Sequence, residues 1–163
     1  MKSAIQSDTL TVVTRTAAET QAFGRKLAVQ LHPGDVVALT GDLGAGKTCL
    51  AQGVAAGLGI VEPITSPTFT LIAEHFPPPR GKHKLPFYHV DLYRLDSPAQ
   101  AVAQAIAIGI EEYLDGDGVT FIEWAEKIKR LWPPQTIRVR IQVLSHDKRQ
   151  IQCSPWPSKP PVP

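Results

Sequence analysis

The apolar residues of the chain recur with two different periods, and each period predicts a different kind of element. Between residues 17 and 31 they recur every fourth position, as at Phe23 and Leu27, which predicts an amphipathic helix. Thr16 and Glu19 form a capping box that begins this helix. Between residues 137 and 143 every second residue is apolar, which predicts a strand with one exposed face.

Shorter apolar or β-branched runs predict further strands, and polar or Gly/Pro-rich breaks separate them. The predicted strands are 9–14, 36–39, 71–74, 87–93, 119–124, 137–143 and 149–153. The predicted helices are 17–31, 49–58, 98–106 and 110–114, with Ser97 as an N-cap and Gly109 as a break. Residues 76–86 are expected to form a surface hairpin loop, and the Pro-rich residues 154–163 a disordered tail. This order predicts one α/β domain over residues 1–153, a mixed sheet with parallel core strands flanked by helices and an antiparallel C-terminal hairpin.

One segment between a predicted strand and a predicted helix carries a ligand signature. Residues 41–48 read Gly-Asp-Leu-Gly-Ala-Gly-Lys-Thr, the complete pattern G-x-x-x-x-G-K-[ST] of a phosphate-binding loop. Glycines let successive backbone N–H groups point at a phosphate, and the following helix presents its N-terminus to the same group. In such a loop Lys47 reaches the β and γ oxygens, and the Thr48 hydroxyl binds Mg²⁺. The sequence therefore predicts a P-loop NTPase-like domain that binds a nucleoside triphosphate.

The composition indicates the general class of protein but identifies no binding partner. Apolar residues make up 43% of the chain and charged residues 20%, which is ordinary for a globular protein. The two cysteines, Cys49 and Cys153, have neither metal-ligand spacing nor the pattern of a disulfide framework. No signal peptide or membrane-spanning stretch is visible, so we expect a cytosolic protein. The net charge is only +2, but basic residues concentrate between Lys127 and Arg149, as in a solvated face or a surface for RNA or a partner.

Two acidic residues are placed to complete a hydrolytic site. Glu123 ends one apolar predicted strand, and Asp91 lies near the end of another. The carboxyl ends of parallel strands meet beside a phosphate loop, so either acid can hold Mg²⁺ or orient the attacking water. Ser66 and Thr68 flank a stiffening proline, as in a loop that senses the γ-phosphate or in an ordinary Ser-Pro turn. His89 is expected to be a packing residue.

A set of motifs spaced along residues 16–130 resembles the TsaE (YjeE) family. The motifs are GDLGAGKT at 41–48, SPTF at 66–69, HVDLYRL at 89–95, GIEEY at 109–113 and IEW at 122–124. The resemblance implies an ATPase required for threonylcarbamoylation of the adenosine beside the anticodon in ANN-decoding tRNAs. It also implies TsaB and TsaD as partners, and ATP hydrolysis that resets the TsaB–TsaD complex between turnovers. Through these partners the chain acts on tRNA indirectly, and the sequence leaves direct contact with tRNA open.

The same resemblance implies roles for individual residues. Asp91, Glu123 and Lys47 are implied to be catalytic, Thr48 and Glu123 to hold Mg²⁺, and 66–69 to be a switch segment. Cys49 departs from the family pattern, which usually has a second hydroxyl residue at that position. The residues implied to contact the ATP phosphates are Leu43, Gly44, Ala45, Gly46, Lys47 and Thr48.

Two other functions are compatible with the phosphate loop. A nucleotide-gated assembly factor would remodel a partner on binding ATP, with hydrolysis incidental. A small-molecule kinase usually carries an arginine-rich lid, whereas Arg80 and Arg94 are the only arginines between residues 26 and 129. The sequence does not specify the base-binding residues, although 15–20 and the C-terminal hairpin are candidate walls for the adenine.

Overall fold

A computed structural model describes residues 9–157, and in that part of the chain seven strands form one mixed sheet. The strands are β1 (Leu10–Thr14), β2 (Val36–Thr40), β3 (Ile72–His75), β4 (Phe87–Asp91), β5 (Val119–Glu123), β6 (Ile137–Ser145) and β7 (Lys148–Ser154). The helices are α1 (Ala17–Ala28), α2 (Lys47–Gly57), α3 (Pro98–Ala107) and α4 (Ile110–Leu114), and a 3₁₀ helix (Ala125–Leu131) follows β5. The order of strands across the sheet is β1-β7-β6-β2-β5-β4-β3.

The central strands run parallel, and antiparallel pairs form both edges of the sheet. Strands β6, β2, β5 and β4 pair in parallel, with Leu39 of β2 between Val139 of β6 and Glu123 of β5. Strand β7 pairs antiparallel with β6 and β1, and β3 pairs antiparallel with β4. The predicted fold, with its parallel core and antiparallel C-terminal hairpin, is therefore confirmed. The carboxyl ends of β2, β5 and β4 meet at one edge of the sheet, where ligands bind in folds of this kind.

Helices cover the two faces of the sheet unequally. On one face α1 and α2 pack over the larger core, which includes Leu27, Leu50 and Phe121. On the other face α3, α4 and the 3₁₀ helix pack over a smaller core, whose buried sheet residues come from β2, β4 and β5. In the described part of the chain no helix covers the second face of β6, β7 and β1. Among the helices of that part, no helix is both long and apolar enough to cross a bilayer.

Helices α1 and α2 touch backbone to backbone. A Cβ atom on Gly24 would lie 2.7 Å from the carbonyl oxygen of Leu50. A Cβ atom on Gly53 would lie 2.3 Å from the carbonyl oxygen of Gln21. Side-chain atoms do not approach backbone this closely, so only glycine fits at either position without moving the helices apart.

The two predicted helix caps differ in outcome. Thr16 caps α1 as predicted, because its side chain accepts a hydrogen bond from the Glu19 N–H at 3.1 Å. The helix ends at Ala28 rather than at residue 31, since the N–H groups of Gln30 and Leu31 bond to carbonyls three residues back in a tighter turn. Ser97 stands at the N-cap of α3, but its side chain makes no capping hydrogen bond.

Two predicted strands end earlier than their apolar pattern indicated. Strand β4 ends at Asp91 because its carboxylate accepts a hydrogen bond from the Tyr93 N–H at 2.9 Å, which turns the chain. Strand β5 ends at Glu123 because Trp124 has a φ of 59° and begins the 3₁₀ helix, an element that the sequence pattern did not predict. Both terminations leave an acidic residue as the last residue of its strand.

The last strand and the residues after it extend past the predicted domain end at residue 153. Strand β7 reaches Ser154, and the ring of Trp156 packs against that of Phe23, with centroids 5.7 Å apart. The first residues of the predicted tail are thus held in place, because the indole finds an apolar surface. Residues 158–163 of that tail lie outside the described residues.

Candidate nucleotide site

The predicted phosphate-binding loop joins the end of β2 to the start of α2. Thr40 ends the strand and Lys47 begins the helix. Gly46 has a φ of 107°, in the left-handed region that glycine adopts without strain. A Cβ atom on Gly41 would lie 2.7 Å from the carbonyl oxygen of Ile141, so no larger residue fits there. The two glycines therefore fix the path of the loop around the N-terminus of α2.

The Lys47 side chain folds back over its own loop. Its Nζ donates to the carbonyl oxygens of Gly41 at 2.6 Å and Asp42 at 2.7 Å, and it lies 3.9 Å from the centre of the Trp124 ring. Burial lowers the pKa of the Lys47 ammonium, and nearby carboxylates, Glu123 first among them, oppose that shift. Among the described residues, none forms an ion pair with Lys47. The ammonium group is therefore held by carbonyl dipoles and an aromatic ring, and its charge is available to an anion.

A buried hydrogen-bond chain links the loop to β5 and β4. The Thr48 hydroxyl donates to Glu123, with its Oγ1 3.0 and 3.2 Å from the two carboxylate oxygens. Nε2 of His89 lies 2.7 Å from Glu123 Oε1, one of the two oxygens that the Thr48 hydroxyl contacts. His89 is fully buried, and its Nδ1 has no hydrogen-bond partner among the described residues. Because a carboxylate accepts hydrogen bonds, the proton of this contact lies on Nε2 of His89, which donates to Glu123.

Asp91 is the centre of a second set of contacts, beside the first. The Ser66 hydroxyl donates to Asp91 Oδ2, and the Thr68 hydroxyl lies 3.4 Å from the same oxygen. The other carboxylate oxygen accepts from the Tyr93 N–H. Asp91 pairs with Glu123 in the register of β4 and β5, so the two acids end adjacent parallel strands. Both hydroxyls of the predicted switch segment thus converge on one of the two predicted acids.

These groups line one cavity of about 410 Å³. It brings together the predicted phosphate loop, both predicted acids and the hydroxyls of the predicted switch segment. Its lining residues are Leu43, Gly44, Gly46, Lys47, Thr48, Cys49, Ser66, Thr68, Asp91, Tyr93, Glu123 and Trp124. Of the predicted phosphate contacts, Ala45 is buried and faces a neighbouring cavity instead. Phe69, at the end of the predicted switch segment, is not part of the lining; it is 85% exposed and stacks with Arg94.

Sequence reasoning missed three residues of the site. Tyr93 and Trp124 line the cavity, with their ring centroids 5.2 Å apart, and His89 was expected only to pack. The signal for His89 is its spacing: it lies two residues before Asp91 on a strand, so both side chains point to one face, and β5 places Glu123 beside them. No comparable signal marks Trp124, because its direction depends on the positive φ with which it leaves β5.

A second cavity, of about 190 Å³, lies on the other side of the phosphate loop. Its walls come from the segment at residues 15–20, from the turn between β6 and β7, and from Ala45 and Cys49 of the loop and α2. Arg15, His146 and Arg149 contribute its titratable nitrogen groups. The two segments proposed from the sequence as walls for the base do therefore meet beside the loop.

The donor set of the first cavity fits a magnesium ion. Thr48 and Glu123 offer oxygen ligands at one point, and Asp91 lies one strand away. Among the described residues no three His, Cys, Asp or Glu side chains converge as a closed metal cage. Mg²⁺ bound together with substrate phosphates needs only one or two carboxylates, keeping water on its other positions. The arrangement suits that open type of site.

We expect burial to slow the reactions of both cysteines. Burial raises the pKa of the Cys49 thiol, whose Sγ lies 3.4 Å from the carbonyl oxygen of Ala17, and it raises the pKa of Cys153 to about 12. The thiolate is the form of cysteine that reacts with iodoacetamide. At pH 8 we therefore expect iodoacetamide to modify Cys49 at least threefold more slowly in the folded protein than in the urea-unfolded chain. We expect it not to modify Cys153 before the protein unfolds. Mass spectrometry over pH 7 to 10 measures the rate of modification, and we expect the rate at Cys49 to rise towards pH 10. Labelling of native Cys49 at the unfolded rate at pH 8 would contradict it.

Comparison with known proteins identifies the family of the chain. A family model described as "Threonylcarbamoyl adenosine biosynthesis protein TsaE" matches residues 14–151. The chain is 39% identical over 133 residues to the tRNA threonylcarbamoyladenosine biosynthesis protein TsaE of Bacillus subtilis, covering 82% of this chain and 77% of that one. It is 41% identical over 139 residues to the protein of that name from Treponema pallidum, covering 85% and 96% of the two chains.

A solved structure shares the fold. The crystal structure of Bacillus subtilis YdiB superimposes with a TM-score of 0.72 at 35% identity, over 90% of this chain and 85% of that one. The family model spans every element that builds the two cavities, from the end of β1 to β7. The chain belongs to the TsaE family.

Proposed function

We propose that the chain acts in tRNA threonylcarbamoyladenosine biosynthesis as a Mg²⁺-dependent ATPase. The observation that supports the ATPase is the hydrogen bond from Thr48, in the phosphate loop, to Glu123, at the end of the adjacent parallel strand. It supports the proposal because the Ser/Thr hydroxyl of a phosphate loop and a nearby carboxylate are the protein ligands that Mg²⁺ takes in enzymes of this kind. The names of the relatives supply the pathway.

The phosphates are bound by the loop and the first turn of α2. Backbone N–H groups from Leu43 to Thr48 contact the phosphate oxygens, and the Lys47 ammonium adds a charge-assisted hydrogen bond. The adenosine lies towards the second cavity, between the segment at residues 15–20 and the β6–β7 turn. That cavity borders the same loop, so one nucleotide can reach both.

Each acid has one role in hydrolysis. Thr48 and Glu123 hold Mg²⁺, which supplies positive charge to the β and γ phosphates when bound. His89 donates to Glu123 and fixes the direction of its carboxylate. Asp91, whose Oδ2 is within reach of the Ser66 and Thr68 hydroxyls, orients the attacking water. The water oxygen bonds to the γ-phosphorus, the bond from that phosphorus to the β–γ bridging oxygen breaks, and the proton lost by water ends on the phosphate released with ADP.

The partners are proteins of the TsaB and TsaD type, in the cytoplasm where tRNA is modified. Two large apolar side chains beside the site support a protein partner: Leu43 is 72% exposed and Phe69 is 85% exposed. Phe69 belongs to the segment whose hydroxyls hold Asp91. A partner that moves Phe69 can therefore change the position of the catalytic acid.

Reconstitution tests the proposal. Unmodified ANN-decoding tRNA is incubated with TsaB, TsaD, the donor-forming enzyme and ATP, with and without this chain, and threonylcarbamoyladenosine is counted per TsaD by mass spectrometry. We expect many turnovers with the chain and about one without it. Lys47→Met is expected to behave as if the chain were omitted, and Lys82→Met, an exposed change of the same kind in the β3–β4 loop, to behave as the unchanged protein.

A non-hydrolysable ATP analogue separates the ATPase from the nucleotide-gated assembly factor. The donor is formed in a first step and freed of ATP, so that the analogue is the only triphosphate available to this chain. Restriction of the reaction to one round supports the ATPase. Full multi-round modification with the analogue would overturn it in favour of gating by binding alone.

A further inference from the structure

The uncovered half of the second sheet face contains a groove separate from the nucleotide site. It is a concave surface of about 290 Å³, with β6 and its neighbours as the floor and the 3₁₀ helix as one wall. The groove lies over β6 and β7 where no helix packs in the described part of the chain. Its floor reaches Thr40, one residue before the phosphate loop.

Three cations line the groove without acidic partners. Arg138 and Arg140 rise from β6, and Lys129 comes from the 3₁₀ helix. No carboxylate belongs to the lining, and within the described range none of the three cations forms an ion pair. The groove holds three positive charges in a chain whose net charge is only +2.

The two arginines are spaced for a repeating anion. They are two residues apart on one face of a strand, so their Cα atoms are about 7 Å apart, a separation that suits consecutive phosphates of an RNA strand. Gln152 of β7 lies opposite Arg140 in the register, and Thr40 of β2 flanks it on the other side. The amide and hydroxyl can donate to phosphate or sugar oxygens next to the guanidinium.

A tryptophan borders the same groove. Trp132 is half-buried, and its Nε1 donates to the Ala125 carbonyl at 3.0 Å, which fixes the ring against the 3₁₀ helix. An aromatic ring beside a row of cations is the combination with which proteins bind single-stranded RNA segments, by stacking and by phosphate contacts. An acidic polypeptide would make no use of the stacking surface.

We infer that this groove binds the phosphate backbone of RNA, with tRNA as its occupant. The inference of RNA rests on the groove, and the choice of tRNA rests on the function proposed above. The 3₁₀ helix gives the groove a physical connection to the nucleotide site, because it begins after Trp124 in the first cavity and carries Lys129 into the groove.

The test is direct RNA binding by the full chain, without ATP or partners, measured by fluorescence anisotropy with a labelled unmodified tRNA transcript between 50 and 300 mM salt. The triple variant Lys129→Gln/Arg138→Gln/Arg140→Gln is expected to bind at least tenfold more weakly at 100 mM salt, with a salt slope shallower by about 2. The matched control Arg80→Gln/Lys82→Gln/Lys84→Gln removes equal charge from the β3–β4 loop and is expected to stay within twofold. Arg140→Gln alone, expected to reduce the slope by about 1, provides the same comparison if the triple variant fails to fold.

Three results would overturn the inference. The first is no tRNA binding by the unchanged chain at 10 µM in 100 mM salt, and the second is an equal loss of tRNA affinity in the two triple variants. The third is that polyglutamate of matched charge displaces labelled tRNA as effectively as unlabelled tRNA does. The last result would assign the groove to an acidic protein. Because ATP is absent, failure here leaves the ATPase proposal intact, and failure of the reconstitution leaves the binding result intact.

Discussion

Glu123→Gln is expected to lower Mg²⁺-dependent ATP hydrolysis at least 100-fold while leaving ADP affinity in EDTA within threefold. The substitution keeps the size of the side chain, and its amide oxygen can still accept from Thr48, so the buried chain of hydrogen bonds survives. What is lost is the negative charge that holds the metal. Removing one group that stabilises the transition state typically costs a factor of 10² to 10³.

The Glu123→Gln experiment needs a readout besides turnover. Mn²⁺ bound in the presence of ADP, measured by electron paramagnetic resonance, should fall together with hydrolysis. Glu126→Gln is the matched control, because Glu126 is exposed and its charge also acts on Lys47. Wild-type hydrolysis by Glu123→Gln would show that the magnesium assignment is wrong and would leave Asp91 as the metal-binding acid.

Lys47→Met is expected to weaken ADP and ATP binding about 100-fold without unfolding the protein. A charge-assisted hydrogen bond contributes about 1.5–3 kcal/mol, and a loop lysine reaches two phosphates. Folding has little to lose, since burial lowers the pKa of Lys47 and thus disfavours the charged form in this position. Methionine keeps an unbranched apolar side chain of similar length beside Trp124 and removes the ammonium group.

Isothermal calorimetry with ADP, together with a thermal melt, checks the second prediction. The melting temperature should stay within a few degrees of that of the unchanged protein, and Lys82→Met should bind ADP as the unchanged protein does. ADP binding by Lys47→Met at wild-type affinity would mean that the backbone amides alone hold the phosphates.

The local elements of this fold could be predicted from the sequence because their signals are local. The apolar run ending at Leu39 followed by Gly41 indicates a strand entering a tight loop, and Thr16 marks the start of α1 by its own hydrogen bond. The strand order has no such local signal. Strand β2 lies between β5 and β6, which come much later in the chain, and this pairing depends on packing rather than on any short motif.

Most residues of the candidate site could be listed from the sequence, but the contacts between them could not. Asp91 and Glu123 were expected because acids at the ends of parallel strands lie beside a phosphate loop. Their different surroundings were not predictable: Glu123 contacts Thr48 and His89, whereas Asp91 contacts hydroxyls from a distant loop. Trp124 was expected to continue its strand. A positive φ is rare for a bulky residue, and no feature of the sequence indicates the one that Trp124 adopts.

The close contact of α1 with α2 determines which part of the site can move. At Gly24 and Gly53 the two helices meet with no layer of side chains between them, so a shift of α2 along α1 would bring backbone atoms into collision. The phosphate loop is therefore the more rigid side of the cavity. The opposite side is formed by the segment with Ser66 and Thr68, whose hydroxyls contact Asp91. If the proposed hydrolysis holds, exchanging those few hydrogen bonds would move this segment away from the loop while the hydrophobic core stays intact.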